Sequence, residues 1–558
     1  MVKCICKILL YILGTIVSLA LIVIVYFYFA VKIDSPDIAS FKILDNPVTK
    51  LNDSIWTYGE NILKNNHNGN WEMHIQGNPY QLGIAQGKLA KQLIYLQESA
   101  FTKEIKKMVP SSTYLFILKY FVAWFNRDID NYIPKEFLAE IYGESRYASQ
   151  EFSYIGPAYQ RMLNYHAAHD IGHSLQSMHL VGCTSFALKD KATKNGTMVI
   201  GRNFDFSAGD EFAKNKIVCF CKPDKGYKFA YITWGGMIGV VSGMNEKGLS
   251  ITINSAPSTM PHKCAMPVTL LAREILQYAA TIDQAYAIAS KRKTMVSEAF
   301  LIGSAIDKRT AIIEKMSDKI AIYDPDTNQI ICTNHFQSKE FSNIALNKKS
   351  MQTTASVYRY NRVAELLNVS KPIDYNGAAM ILRDKKGMGN TSIGLGNEKT
   401  INQLIAHHSI IFEPEILVFW VSSYPFQLGK YTAYDLREIF NLPIIDKKSE
   451  KITNIPSDSF LTQGYPNYLN YQNFVKSIIW AIKNKQKLPE SSIVLFKNYN
   501  PDYYNTWFLV GQYYQAMGNY NLAIDNLQRS LLCEIPINME RDKIQKTINN
   551  CKTLISEQ

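Results

Sequence analysis

The chain has 558 residues, enough for two or three domains with ample cores. Apolar residues make up 47% and charged residues 19%, which excludes a disordered chain. Lys and Arg number 60 against 48 Asp and Glu, but this excess is spread along the sequence with no arginine-rich helix or nucleic-acid motif, so no nucleic-acid partner is expected.

Lys3 and Lys7 precede a charge-free run over residues 8–31, long enough to span a bilayer as a helix. The run continues through Tyr26-Phe27-Tyr28-Phe29, which favours an uncleaved transmembrane signal-anchor over a shorter, cleaved signal peptide. The rest of the chain then lies outside the cytoplasm, in a bacterium the periplasm. Residues 34–182 read as mainly helical. Tyr80 opens an amphipathic pattern in which Gly83 and Gly87 permit close packing. Residues 114–124 are strongly apolar but too short for a second span, and read as core. His166, His169 and His173 share no clean helical face and have no acidic partner at metal spacing, so no metal is expected.

Two apolar runs follow, Gly182-Cys183-Thr184-Ser185-Phe186-Ala187-Leu188 and Met198-Val199-Ile200-Gly201-Arg202-Asn203-Phe204-Asp205-Phe206, joined by a polar turn ending in Asn195-Gly196. An Asn-Gly pair supplies the positive φ of a hairpin turn. If the Gly182–Cys183 bond were cut, Cys183 would carry a thiol and an α-amine on one residue, nucleophile and base together. A backbone amine titrates near enough to neutral pH to take the thiol proton, and Arg202 and Asp205 are close enough in sequence to fix it. Taken alone, Cys183 reads better as an ordinary buried strand cysteine, the more frequent role for a lone Cys.

Downstream, Asn245-Glu246-Lys247-Gly248 forms a turn before a strand ending at Asn254. Residues 268–289 have helical spacing, and three strands then lead to Thr333-Asn334-His335-Phe336. Ser356 is a good N-cap for a helix carrying Arg359 and Arg362. A hairpin around Glu413-Pro414-Glu415 closes this region. Residues 446–463 read as a linker, and Trp507, Gly511, Tyr514, Gly518, Tyr520 and Ala523 fit one tetratricopeptide-like repeat. A single repeat needs neighbours to bury its faces, so it is expected to pack on adjacent structure.

These blocks resemble the N-terminal nucleophile hydrolases, in particular choloylglycine hydrolase, penicillin V acylase and the acyl-CoA:6-aminopenicillanate acyltransferase group. The Cys-Thr start, the Gly-Arg-Asn-x-Asp strand end, the Asn-Glu-Lys-Gly turn, Thr-Asn-His-Phe and Ser-x-x-Arg-x-x-Arg keep the family's order. The internal Cys183 is most similar to the autoproteolytic acyltransferase group. The resemblance implies an α+β fold, a four-layer αββα sandwich over residues 183–445. Around it lie residues 1–33 as cytoplasmic stub and transmembrane helix, 34–182 as a helical pro-segment kept bound after cleavage, and 446–558 as linker and repeat-like helices. It further implies cleavage between Gly182 and Cys183, Cys183 as nucleophile, Asp205 orienting its amine, Asn254 and Asn334 as oxyanion donors, and Arg202 and Arg359 as supports. The substrate would be a linear acyl amide or acyl donor, handled through a thioester without a cofactor. His335 has no required role in such a mechanism. Two other readings stay open: a lipid amidase acting on N-acyl amino acids or ceramide-like amides, and an inert membrane scaffold whose C-terminal helices recruit a protein partner.

Overall fold

The computed structural model describes residues 2–41, 46–67, 70–174, 182–206, 209–370, 372–441 and 452–557. In chain order the strands are β1 (Val48–Asn52), β2 (Ile55–Tyr58), β3 (Asn61–Asn65), β4 (Asn70–Gly77), β5 (Thr184–Asp190), β6 (Gly196–Asp205), β7 (Lys216–Pro223), β8 (Phe229–Thr233), β9 (Ser242–Asn245), β10 (Leu249–Ser255), β11 (Glu298–Ser304), β12 (Arg309–Lys315), β13 (Ile320–Tyr323), β14 (Gln329–Cys332), β15 (Ala406–Glu413), β16 (Val418–Ser422) and β17 (Tyr431–Asp435). Among the described residues they form two sheets, ordered β1-β2-β3-β4-β7-β8-β9-β10-β11-β12-β13 and β14-β5-β6-β15-β16-β17. All ladders are antiparallel except β4 with β7.

Period-2 alternation makes the sandwich. Met198 and Ile200 on β6 point at Val218, Phe220 and Leu301 of the larger sheet, filling the space between sheets. Val199, between them, points outward and packs with Val363 and Leu367 of helix Ser356–Ser370. Helices Pro79–Leu89, Lys135–Ser145 and Val268–Tyr278 cover the outer face of the larger sheet. The β5–β6 turn has the expected glycine, with Gly196 at φ +73°.

The structure corrects several expectations. Residues 34–182 are not helical alone: they begin with β1–β4, which extend the larger sheet. Every position of β1 is exposed, so no alternation marks it in the sequence. The helix over 268–289 is two helices, the second, Ile282–Ser290, capped by the Thr281 hydroxyl. Ser356 is the first helical residue, and its hydroxyl faces residues 333–335. The apolar stretch 114–124 is not core, since helix Ser112–Phe125 has no buried residue.

Within the expected linker and at the expected domain end, residues 442–451 lie outside the described residues. Beyond them the chain is no free linker: Ile455 is buried and bridges Tyr431, and Thr453 accepts the Trp420 indole N–H. The C-terminal helices, Phe460 to Ser556, share a core with Leu404, Phe426 and Leu428 of the sandwich. At the other end, the stretch Ile5–Ala30, with mean hydropathy 2.9, is long and apolar enough to cross a membrane, and fits a span or a signal sequence.

Gly83 and Gly87 set the closest helix contact on the large sheet. A Cβ on Gly83 would stand 1.9 Å from the Glu140 carbonyl oxygen, and one on Gly143 would stand 2.7 Å from that of Tyr80. Backbone cannot yield as a side chain can, so Gly83→Ala is expected to lower stability by about 3 kcal/mol. Gly156→Ala, with nothing within 4 Å, is the control and should change it by under about 0.5 kcal/mol. Thermal denaturation of both variants checks this.

Candidate active site

The sheet register brings Gly182 and Cys183, just before β5, alongside the end of β6. The Gly182 N–H donates to the Asp205 carbonyl at 3.1 Å. The chain is continuous through Gly182–Cys183, and both residues are buried.

Arg202, in mid-β6, lies wholly inside the protein. Its Nη2 donates to the Ile253 carbonyl at 2.5 Å and to Cys183 Sγ at 3.6 Å, and its Nη1 donates to Ser242 Oγ at 2.5 Å. Ser242 Oγ is 2.9 Å from His408 Nε2, and His408 Nδ1 is 3.0 Å from His407 Nδ1. Arg202 Nη1 also lies 3.4 Å from His408 Nε2, and a guanidinium can only donate, so that Nε2 is an acceptor and Nδ1 carries the hydrogen. Burial, with Arg202 and Lys216 nearby, holds both imidazoles far below their usual pKa and therefore neutral.

Arg359, from helix Ser356–Ser370, is the second buried cation. It donates to the Cys183 carbonyl at 2.6 Å, to Thr184 Oγ1 at 2.7 Å and to Asn334 Oδ1 at 2.7 Å. The Asn334 amide donates to the Ser255 carbonyl and hydroxyl, at 2.9 and 3.1 Å. Asn254 donates to the Cys332 carbonyl at 3.0 Å and accepts from the Ser185 hydroxyl at 3.0 Å. His335 sits 2.8 Å from Ser356 Oγ and 3.1 Å from Thr333 Oγ1, tying the helix start to the loop after β14.

Cys183, Arg202, Asp205, Asn334 and Arg359 thus form one linked cluster, and Asn254 joins it through Ser185 and Cys332. Gln403 is a member that sequence reasoning missed. Its Nε2 donates to the Gly182 carbonyl at 2.9 Å and reaches Asp205 Oδ2 at 3.4 Å. Ser242 and His408 were missed as well. All three are single polar residues without a motif around them. The side chains of His169 and His173 lie outside the described residues. His166 uses both ring nitrogens: one is 2.8 Å from the Met162 carbonyl and the other accepts the Ile238 N–H at 3.0 Å.

In the uncut chain, burial pushes the Cys183 thiol up to about 11, with Arg202 pulling the other way. Burial also raises Asp205 to about 7, opposed by Arg359 and Arg202. The thiol therefore rests protonated at neutral pH, and needs a base before it can act on an external substrate.

A small, partly open apolar pocket lies beside the cluster, lined by Phe101, Met162, Tyr165, Phe206, Phe212 and Trp234 among others. Arg202 and Phe204 share one face of β6, and Phe206, one residue past its end, continues that row. The Arg202 guanidinium lies 4.5 Å from the Phe204 ring centroid, and Phe204 stacks near-parallel on Phe206 at 5.9 Å and on Trp234 at 6.4 Å. This row of rings leads from the cysteine's cation to the cavity.

A family model described as acyl-coenzyme A:6-aminopenicillanic acid acyl-transferase matches residues 191–420. That stretch holds Arg202, Asp205, Asn254, Asn334, Arg359 and Gln403, and begins after Cys183. An uncharacterized protein of Archaeoglobus fulgidus is 26% identical over 277 residues, 46% of this chain and 45% of its own length, so the match spans under half of that relative. Among solved structures, a Caenorhabditis elegans N-acylethanolamine-hydrolyzing acid amidase ortholog is 14% identical with a TM-score of 0.30, covering 46% of this chain and all of its own. Two variants of the Clostridium perfringens conjugated bile acid hydrolase are each 14% identical with a TM-score of 0.32, covering 49% and 98%. Residues 191–420 are thus similar to this acyltransferase family, one of those that the motifs resemble.

Asp205 gives a pH test. A carboxyl whose folded pKa is raised binds its proton more readily in the folded chain, so stability falls as pH rises from about 4 to about 7, by at most roughly 1.4 kcal/mol per pH unit. In the uncut Cys183→Ala background, Asp205→Asn should remove that slope. Its melting temperature is expected to exceed the parent's at about pH 8 and to approach it near pH 4, as read by calorimetry.

Proposed function

We propose that this protein is a self-cleaving cysteine amidohydrolase or acyltransferase that acts on linear, non-peptide acyl amides through a thioester on Cys183. The observation that carries this reading is the grip on the Gly182–Cys183 bond. One buried cation faces the sulfur, Gln403 donates to the Gly182 carbonyl, and Asp205 holds the Gly182 N–H. That arrangement suits attack of Sγ on the preceding carbonyl better than it suits an inert strand cysteine.

In the first reaction Sγ bonds to the Gly182 carbonyl carbon, the C–N bond breaks, and the thiol proton passes to the Cys183 nitrogen. Water then hydrolyses the thioester, leaving a Gly182 carboxylate and a free Cys183 amine. Gln403 stabilises the oxyanion on Gly182, a role worth about 10²- to 10³-fold per donor in comparable sites. In the second reaction the new amine takes the thiol proton, the thiolate attacks the substrate carbonyl, and the amine returns the proton to the leaving nitrogen. Asn254 is the better oxyanion donor, because Asn334 spends its amide hydrogens on Ser255. Arg359, bonded to the Cys183 carbonyl, keeps the nucleophile's backbone fixed, and Asp205 orients the amine. Water or an acceptor amine then resolves the thioester.

Two further parts belong to this reading. The N-terminal helix anchors the chain in a membrane with the catalytic sandwich outside the cytoplasm, and the C-terminal helices form a tetratricopeptide-like unit braced on the sandwich. The row of rings that leads from Arg202 to the apolar pocket favours a substrate with an apolar acyl chain, and so gives weight to a lipid amide.

Intact mass and N-terminal sequencing test the first step. Wild-type protein is expected as two fragments, the larger beginning Cys-Thr-Ser-Phe, Cys183→Ala as one chain, and Gln403→Ala as a chain that cuts about 100-fold more slowly. A wild-type chain that stays whole would leave the inert scaffold as the better account. Acyl amides of increasing chain length, with hydroxylamine to trap the thioester, test the second step. Turnover rising with chain length supports the lipid amide.

A further inference from the structure

In helix Ser112–Phe125 no residue is buried, although the sequence Ser-Thr-Tyr-Leu-Phe-Ile-Leu-Lys-Tyr-Phe-Val-Ala-Trp-Phe is nearly all apolar. Tyr114, Phe116, Ile117 and Phe121 are each more than half exposed, with Tyr120 at 43% and Met108, just before the helix, at 44%. A contiguous apolar surface of this kind marks an interaction site.

The helix is joined to the apolar N-terminal helix, Val2–Ala30. Phe27 stacks on Trp124 at 5.6 Å and meets Tyr120 edge-on at 5.9 Å, while Tyr26 lies 6.4 Å from Trp124. Gln160 donates to the Val31 carbonyl at 2.5 Å, fastening the end of that helix to the folded part. The exposed patch is therefore continuous with the last turns of the one stretch long enough to cross a membrane among the described residues.

Cations ring the patch. Lys119 lies 4.9 Å from the Phe116 centroid and 5.1 Å from that of Tyr120, Arg127 lies 4.3 Å from that of Trp124, and Lys106 lies 5.7 Å from that of the exposed Tyr154. Rings mixed with Lys and Arg at the end of an apolar segment are what a lipid–water boundary selects. At about 1.5 Å per residue the helix is roughly 21 Å long, too short for a hydrocarbon core of about 30 Å, so it lies in the leaflet rather than crossing it.

We propose that Ser112–Phe125 is a second, in-plane membrane element, buried in the outer leaflet of a phospholipid bilayer beside the N-terminal helix. This surface is independent of the chemistry at Cys183. The preceding helix, Lys91–Met108, supplies Phe101 to the cavity, so docking brings that cavity next to the lipid.

The test uses the full chain in vesicles of phosphatidylcholine and phosphatidylglycerol, with Cys4, Cys6 and Cys533 replaced by serine. A bimane label is attached in turn to Ile117→Cys, Phe121→Cys, Leu19→Cys in the N-terminal helix and the exposed Leu532→Cys. Labels at 117 and 121 are expected to be quenched by lipid-attached nitroxide and shielded several-fold from aqueous iodide relative to 532. The same result with the label at 19 left in water would still support the in-plane helix while removing the span. Iodide quenching at 117 and 121 equal to that at 532 overturns the proposal. So does shielding without nitroxide quenching, which would mean that protein, such as a second copy of the chain, covers the patch.

Discussion

The centre of this molecule depends on a guanidinium that cannot leave water cheaply and cannot lose its proton. Arg202 sits inside the sandwich because β6 alternates, with Met198 and Ile200 facing the larger sheet and Arg202 next on the same side. Once there, its donors must be met. The Ile253 carbonyl, Ser242 Oγ and Cys183 Sγ meet those of its two terminal nitrogens, each from a different strand or strand end, while its Nε is buried with no hydrogen-bond partner. The arginine therefore fixes the register of β6 against β9 and β10 as well as the place of the thiol. His408 and His407, held neutral beside it, extend the polar chain without adding a second positive charge.

Arg359 does the same from the opposite side. It spans the Cys183 carbonyl, Thr184 Oγ1 and Asn334 Oδ1, so helix Ser356–Ser370 is bound to both β5 and the loop after β14. Ser356 and His335 brace that join. Between the two arginines the backbone at Gly182 and Cys183 has little freedom, which is the condition for a carbonyl and a thiol on adjacent residues to meet productively.

Much of this was legible in the sequence where a short pattern dictates geometry. The Asn-Gly turn and two alternating runs give the β5–β6 hairpin, and the block order brings Cys183, Arg202, Asp205, Asn334 and Arg359 into one cluster. Single polar residues in unpatterned stretches were invisible. Gln403 is defined by what it reaches, the Gly182 carbonyl, and nothing around it in the sequence announces that. Apolar content also misled. Residues 114–124 have the composition of a core, yet a core needs facing surfaces all round, and here only one side meets the N-terminal helix, through Tyr120 and Trp124, so no residue is buried. Conversely β1–β4 belong to the larger sheet while β1 shows no buried face at all, since an edge strand is held by its backbone ladder rather than by packing.

On the proposed function, the electrostatics divide labour between the uncut and cut chain. Before cleavage the thiol is buried and pushed up to about 11, while Asp205 is held near 7, so no strong base faces the sulfur at neutral pH. Attack on Gly182 needs none of large reach, because the carbonyl is adjacent in the chain and already polarised by Gln403. An external amide lacks that advantage. The proposed cut supplies the missing base on the nucleophile's own residue, next to a carboxyl that an ammonium would drive toward its charged form. On this reading the site stays inert toward substrate until its own chain has been the first one.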